Sequence, residues 1–89
     1  MIQEKIRIIN KLGLHARAAA KFVSHTSRYI SDILVLKNDQ QANGKSIMGV
    51  MMLAASQGTE LELHISGEDE KEMFEDLKTL INSRFGESE

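Results

Sequence analysis

Two residues separated by a single alanine, His15 and Arg17, bring together what a phosphoryl acceptor needs. A neutral imidazole is a nucleophile, and a guanidinium matches the oxygens of a phosphate. They sit between Leu12-Gly13-Leu14, which reads as a loop, and a segment in which Ala16, Ala19, Ala20 and Val23 recur at helical spacing. That spacing predicts a helix from Ala16 to about Ser27, packed through Ala16, Ala19, Ala20 and Val23, with His15 at its threshold. The first amides of a helix have no partner within it and face the positive end of its dipole, so the backbone of Ala16 and Arg17 is a ready phosphate cradle. The same positive surroundings favour the neutral, nucleophilic ring. The spacing equally suits a histidine that merely begins a helix, with Arg17 as a solvated charge.

The remaining candidates are less organised. His25 falls near the end of the same helix, where a cation is favourable, and His64 lies on the polar side of an alternating stretch. Isolated histidines without clustered carboxylates do not make a metal site, and the chain has no cysteine, so neither a metal nor another cofactor is expected. Gly44-Lys45-Ser46 imitates the end of a phosphate-binding loop, but Asp39 stands where the pattern needs its first glycine. Ser46 instead suits the cap of a short helix.

The run Ile47 to Ala55 is apolar all round. A short helix turns only one stripe to a small core, and Val50, Leu53 and Ala54 share one face. Ile47, Met48, Met51 and Met52 are then left as an adaptable surface patch of the kind that docks partners, unless the core absorbs them.

The elements that must position these residues follow from the rest of the pattern. Residues 2 to 9 alternate as a strand, with Ile2, Ile6 and Ile8 on one face. Ile33 to Leu36 is a second strand, turning at Asn38-Asp39 into a short polar strand at Gln40 to Ala42. Glu60 to Ser66 alternates cleanly, Leu61, Leu63 and Ile65 against Glu60, Glu62, His64 and Ser66. A last helix begins at about Asp69, with Met73, Leu77, Leu80 and Ile81 on one stripe. The order is β-α-β-β-α-β-α. Alternating strands want one wet face, which predicts an α+β fold of two layers: a four-stranded antiparallel sheet with three helices on one face.

Composition narrows the function further. A chain of 89 residues has room for one domain, spanning residues 1–89. Eleven basic against 13 acidic residues, a net charge of −2 and 4% aromatics do not suit nucleic-acid binding, which needs a basic face and stacking platforms. No apolar run approaches the ~20 residues of a membrane span. Met1 to Asn10 mixes charges with isoleucines and lacks a signal peptide's apolar stretch, so a cytoplasmic chain is expected, with a monomer as the default.

Two blocks carry a family resemblance. Leu12-Gly13-Leu14-His15-Ala16-Arg17, continued by Ala18-Ala19-Ala20-Lys21-Phe22-Val23, resembles the active-site motif of HPr, the histidine phosphocarrier family of the bacterial phosphotransferase system. Gly44-Lys45-Ser46-Ile47-Met48-Gly49-Val50-Met51 resembles the family's regulatory-serine segment. The similarity runs from about Ile2 to Phe85, and two motifs at the family's positions are far more specific than either alone. The resemblance implies that His15 is phosphorylated on Nδ1 by enzyme I, itself charged from phosphoenolpyruvate, and passes the group to an EIIA domain. It implies that Arg17 neutralises charge during transfer and that Ser46 is the target, in many bacteria, of an HPr kinase/phosphorylase. It also implies that Ile47, Met48 and Met51 belong to the surface that docks enzyme I and EIIA, and that the fold is an open-faced β-sandwich. One position departs: Ala18 stands where the family usually has proline. Besides sugar uptake, a regulatory relay of the nitrogen type and an interaction module that is never phosphorylated fit the same residues.

Overall fold

The computed structural model describes residues 1–89. Its elements are β1 (Ile2–Arg7), α1 (Ala16–Thr26), β2 (Asp32–Lys37), β3 (Gln40–Asn43), α2 (Ile47–Met52), β4 (Glu60–Ser66) and α3 (Glu70–Asn82), with a closing 3-10 turn at Arg84–Gly86. The four strands form one sheet in the order β1-β4-β2-β3, every pair antiparallel. β4 therefore runs through the middle, where its alternation predicts that one side should be wholly apolar. Leu61, Leu63 and Ile65 are fully buried, and Val35 and Ile33 of β2 stand opposite Leu63 and Ile65. β1 is an edge strand: Ile6 faces Leu61, Ile2 faces Ile65, and the exposed Glu4 places a charge on the edge, which discourages pairing with another chain. The opposite face of the sheet is the wet one, with Lys5 and Gln3 beside Glu62 and His64. This is the two-layer α+β fold that the alternation predicts, and the open-faced sandwich that the family resemblance implies.

The helices close the other side. α3 buries Met73, Leu77, Leu80 and Ile81, the stripe its spacing predicts. Asp69, at its threshold, does not cap it through its side chain; its carboxylate accepts hydrogen bonds from the Ile30 and Ser31 amides, both at 3.0 Å, and ties the entry to β2 onto the helix.

α1 is turned relative to expectation. It buries Ala18, Ala19, Phe22, Val23 and Thr26, whereas Ala16 and Ala20 are exposed. Phe22 is among the largest fully buried side chains, and the area it removes from water, far greater than an alanine's, sets the orientation of the helix. α2 is shorter than its apolar run. It ends at Met52, the Leu53 side chain is buried, and Ala54 is exposed in the left-handed region at φ 52°. Lys37 of β2 donates from Nζ to the Leu53 carbonyl at 2.9 Å and satisfies that free helix-end carbonyl, a favourable place for a cation. No helix is long and apolar enough to cross a membrane.

Candidate functional site

His15 stands as the N-cap of α1, in extended backbone at φ −73°, ψ 179°, and its side chain makes no capping bond. The first helical bond runs from the Ala19 amide to the His15 carbonyl at 2.8 Å. The amides of Ala16, Arg17 and Ala18 therefore precede the helical ladder, as the first N–H groups of any helix do. The first turn contains no acidic residue to compete for them. Arg17, in that first turn, is exposed and enters none of the chain's ion pairs, so its guanidinium is without an ionic partner. Ala18, the third residue of α1, is fully buried.

The loop before the helix is held by its glycine. Gly13 takes φ +68°, and a Cβ there would lie 2.4 Å from the Ala55 carbonyl oxygen and 2.9 Å from the Ser56 Cα. Only a residue without a side chain lets the loop approach the α2–β4 connection so closely. The adjoining Leu14 is buried, and its amide donates to the same Ala55 carbonyl at 2.8 Å. These contacts fix the backbone one residue before His15.

His15 also has a neighbour that no local pattern announces. Its Nε2 lies 2.5 Å from a carboxylate oxygen of Glu87, 72 residues further on. The second Glu87 oxygen accepts a 3.0 Å bond from Nδ2 of the fully buried Asn10, which also donates to the Gly13 carbonyl at 2.9 Å. The His15 ring bond, first, and the Asn10 amide, second, hold the Glu87 carboxyl below the usual carboxylate range. The only sequence signal was a phenylalanine and a glycine beyond the end of the last helix, which prompts no such reading.

Ser46 caps α2, its hydroxyl accepting from the Gly49 amide at 3.1 Å. Of the apolar patch, Ile47, Met48 and Met52 are exposed, the last two by 67% and 73%, whereas Met51 is half-buried and packed against the core. Leu12, in the loop before His15, is as exposed as Met48. α1 and α2 pack against one another, which puts the patch on the helical side of the molecule with His15.

The other histidines lie apart from this site. His25 binds Asp76 through Nδ1 at 2.7 Å, and the Tyr29 hydroxyl donates to the other Asp76 oxygen at 2.7 Å, so this cluster fastens α1 to α3. His64 contacts Glu62 on the open face. No group of three or more histidine, cysteine or carboxylate side chains could hold a metal ion.

Residues 2–83 match the family model described as the PTS HPr component phosphorylation site. The chain is 55% identical over 89 residues to the phosphocarrier protein HPr of Neisseria meningitidis, covering all of both. It is 57% identical over 86 residues to that of Pseudomonas aeruginosa, covering 96% of each. Among solved structures it superposes on HPr from Thermoanaerobacter tengcongensis with a TM-score of 0.95, at 47% identity and over the whole of both chains. HPr from that organism has also been crystallised as a dimer, which this chain matches with a TM-score of 0.78 at 48% identity, covering 98% of this chain and 100% of that one. Motif, fold and full-length similarity converge, and the chain belongs to the HPr family of phosphotransferase-system phosphocarriers.

Proposed function

We propose that this chain relays a phosphoryl group from phospho-enzyme I, through a phosphohistidine at His15, to EIIA domains in sugar uptake and its regulation. The observation that carries the reading is the setting of His15: a half-buried N-cap with one ring nitrogen free of protein partners, beside open amides and an unpaired Arg17. In the transfer, the lone pair of His15 Nδ1 attacks the phosphorus of the donor's phosphohistidine. The donor's P–N bond breaks, and its electron pair returns to the donor imidazole. Such a step needs in-line positioning and charge on the equatorial oxygens more than covalent machinery. The amides of Ala16 and Arg17 and the Arg17 guanidinium supply that charge. The open setting keeps the group transferable, since a closed pocket would hold it too tightly to pass on.

Ile47, Met48 and Met52, with the half-buried Met51, form the apolar surface for enzyme I and EIIA in this reading, and Ser46 is the site for an HPr kinase/phosphorylase. The carrier acts as a single cytoplasmic domain and as a monomer, since docking needs the exposed face.

The test is incubation with purified enzyme I and phosphoenolpyruvate. The expected result is an acid-labile mass gain of one phosphate on His15, passed on when an EIIA domain is added. His15→Ala should fold normally and take up nothing. Uptake by that variant would overturn the site, and no uptake by the native chain would overturn the relay.

A further inference from the structure

We infer that Glu87 is a positioning residue for phosphoryl transfer at His15, its carboxylate accepting the ring Nε2–H so that the lone pair lies on Nδ1. The inference rests on the relay proposed above and adds to it a residue from the far end of the chain.

The tail is built to deliver this carboxylate. Arg84 and Phe85 both take left-handed backbone, at φ 60° and 55°, a conformation that is strained for residues with side chains and persists only where the surroundings enforce it. What enforces it is visible: the Phe85 ring is buried in the core, and Lys21 of α1 donates from Nζ to the Phe85 carbonyl at 2.6 Å. Gly86 continues the turn at φ +79°. Beyond Glu87, the Lys11 amide donates to the Glu89 carbonyl at 2.5 Å. The carboxylate is thus clamped from both sides, and the buried Asn10 amide fixes one of its oxygens.

The direction of the His15 bond then follows from the charge state. A carboxyl held below its usual range is ionised at neutral pH, and an ionised carboxylate can only accept. Nε2 must therefore be the donor. A neutral ring with its proton on Nε2 has its lone pair on Nδ1, the nitrogen that no group of the chain hydrogen-bonds. When Nδ1 takes the phosphoryl group, the ring keeps the Nε2 proton and becomes positive, and the Glu87 carboxylate faces that charge. The ring can leave again as neutral imidazole, so the same contact serves onward transfer. Glu87 meets the ring at its Nε2 edge, away from the entering phosphoryl group. The tail thus leaves the reacting nitrogen open.

The experiment compares Glu87→Ala and Glu87→Gln in the full chain by two readouts. In imidazole nitrogen NMR with the ring neutral, the native chain should show the Nε2–H form of His15 with its proton protected from exchange. Glu87→Ala should lose that protection and gain the Nδ1–H form several-fold, whereas Glu87→Gln, whose amide oxygen still accepts, should keep the native form. With purified enzyme I and phosphoenolpyruvate, Glu87→Ala should lower kcat about tenfold at nearly unchanged KM, the loss expected of one charge-assisted hydrogen bond discounted for partial exposure. Glu87→Gln should fall between. Unchanged tautomer and exchange in Glu87→Ala would overturn the inference, as would faster transfer, which would make the tail a cover. If the native chain takes no phosphate while the NMR change occurs, the ring contact stands and the relay fails.

Discussion

Replacing Gly13 by alanine tests whether the loop before His15 is held as closely as the structure shows. Two costs arise. The residue sits at φ +68°, where an L side chain costs roughly 1–2 kcal/mol. The new Cβ would also lie 2.4 Å from the Ala55 carbonyl oxygen, and because that neighbour is backbone no rotamer change relieves it. The loop must retreat. The 2.8 Å bond from the Leu14 amide to Ala55 then weakens, worth about 1 kcal/mol, and part of the burial of Leu14 goes with it. The sum is about 2–4 kcal/mol, a fall in Tm on the order of 10–25 °C for a domain of this size. Gly58 provides the control: it has φ +89° and nothing within 4 Å of its would-be Cβ, so Gly58→Ala should cost only the conformational part, about 1–2 kcal/mol. Urea unfolding followed by circular dichroism measures both variants. The rate of phosphoryl uptake from enzyme I, taken well below the melting transition, should also fall in Gly13→Ala and stay native in Gly58→Ala. Equal destabilisation by the two substitutions would refute the close approach of the loop to Ala55, and with it the account of how His15 is placed.

Ser46→Asp should leave the fold intact, since aspartate caps a helix about as well as serine and its charge suits that end of α2. It should raise KM for enzyme I by placing a charge beside Ile47 and Met48, and a defect that high salt abolishes would show long-range repulsion instead of desolvation. Acid should unfasten α1 from α3. Burial pushes the Asp76 carboxyl up, but the Tyr29 hydroxyl, His25 and Arg28 outweigh it and leave it below the usual range. Because its folded pKa is depressed, the stability it adds is complete above the ordinary aspartate value near ~4 and is lost as pH falls below that. Asp76→Asn should cost about 1–2 kcal/mol at neutral pH and flatten the acid limb of the stability curve, measured by urea midpoints across pH. An unchanged acid limb would mean that the cluster does not titrate with folding.

The helix-forming stripe of α3 and the alternation of β4 were legible because both patterns lie within a few residues and one face of each is buried. The cap of α2 was legible for the same reason: Ser46 binds the amide three residues on. Orientation was less so. In α1 the alanines lie at good helical spacing, yet Phe22 decided which face turned inward, because burial area and not periodicity sets the rotation. The apolar run continues to Ala55, yet α2 ends at Met52 and Ala54 turns into the left-handed region, an end that the run itself does not mark.

Local order in the chain already determined that His15 would open a helix, with Arg17 beside it and unbonded amides around it, since loop glycine, helix former and dipole all act within one turn. Only the tertiary structure decided what faces the other edge of the ring. Glu87 reaches His15 across 72 residues through a core-anchored phenylalanine, a glycine turn and a buried asparagine. No periodicity links such residues. Their meeting depends on the packing of α1 and the tail around one core, and that arrangement exists only when the whole chain has folded.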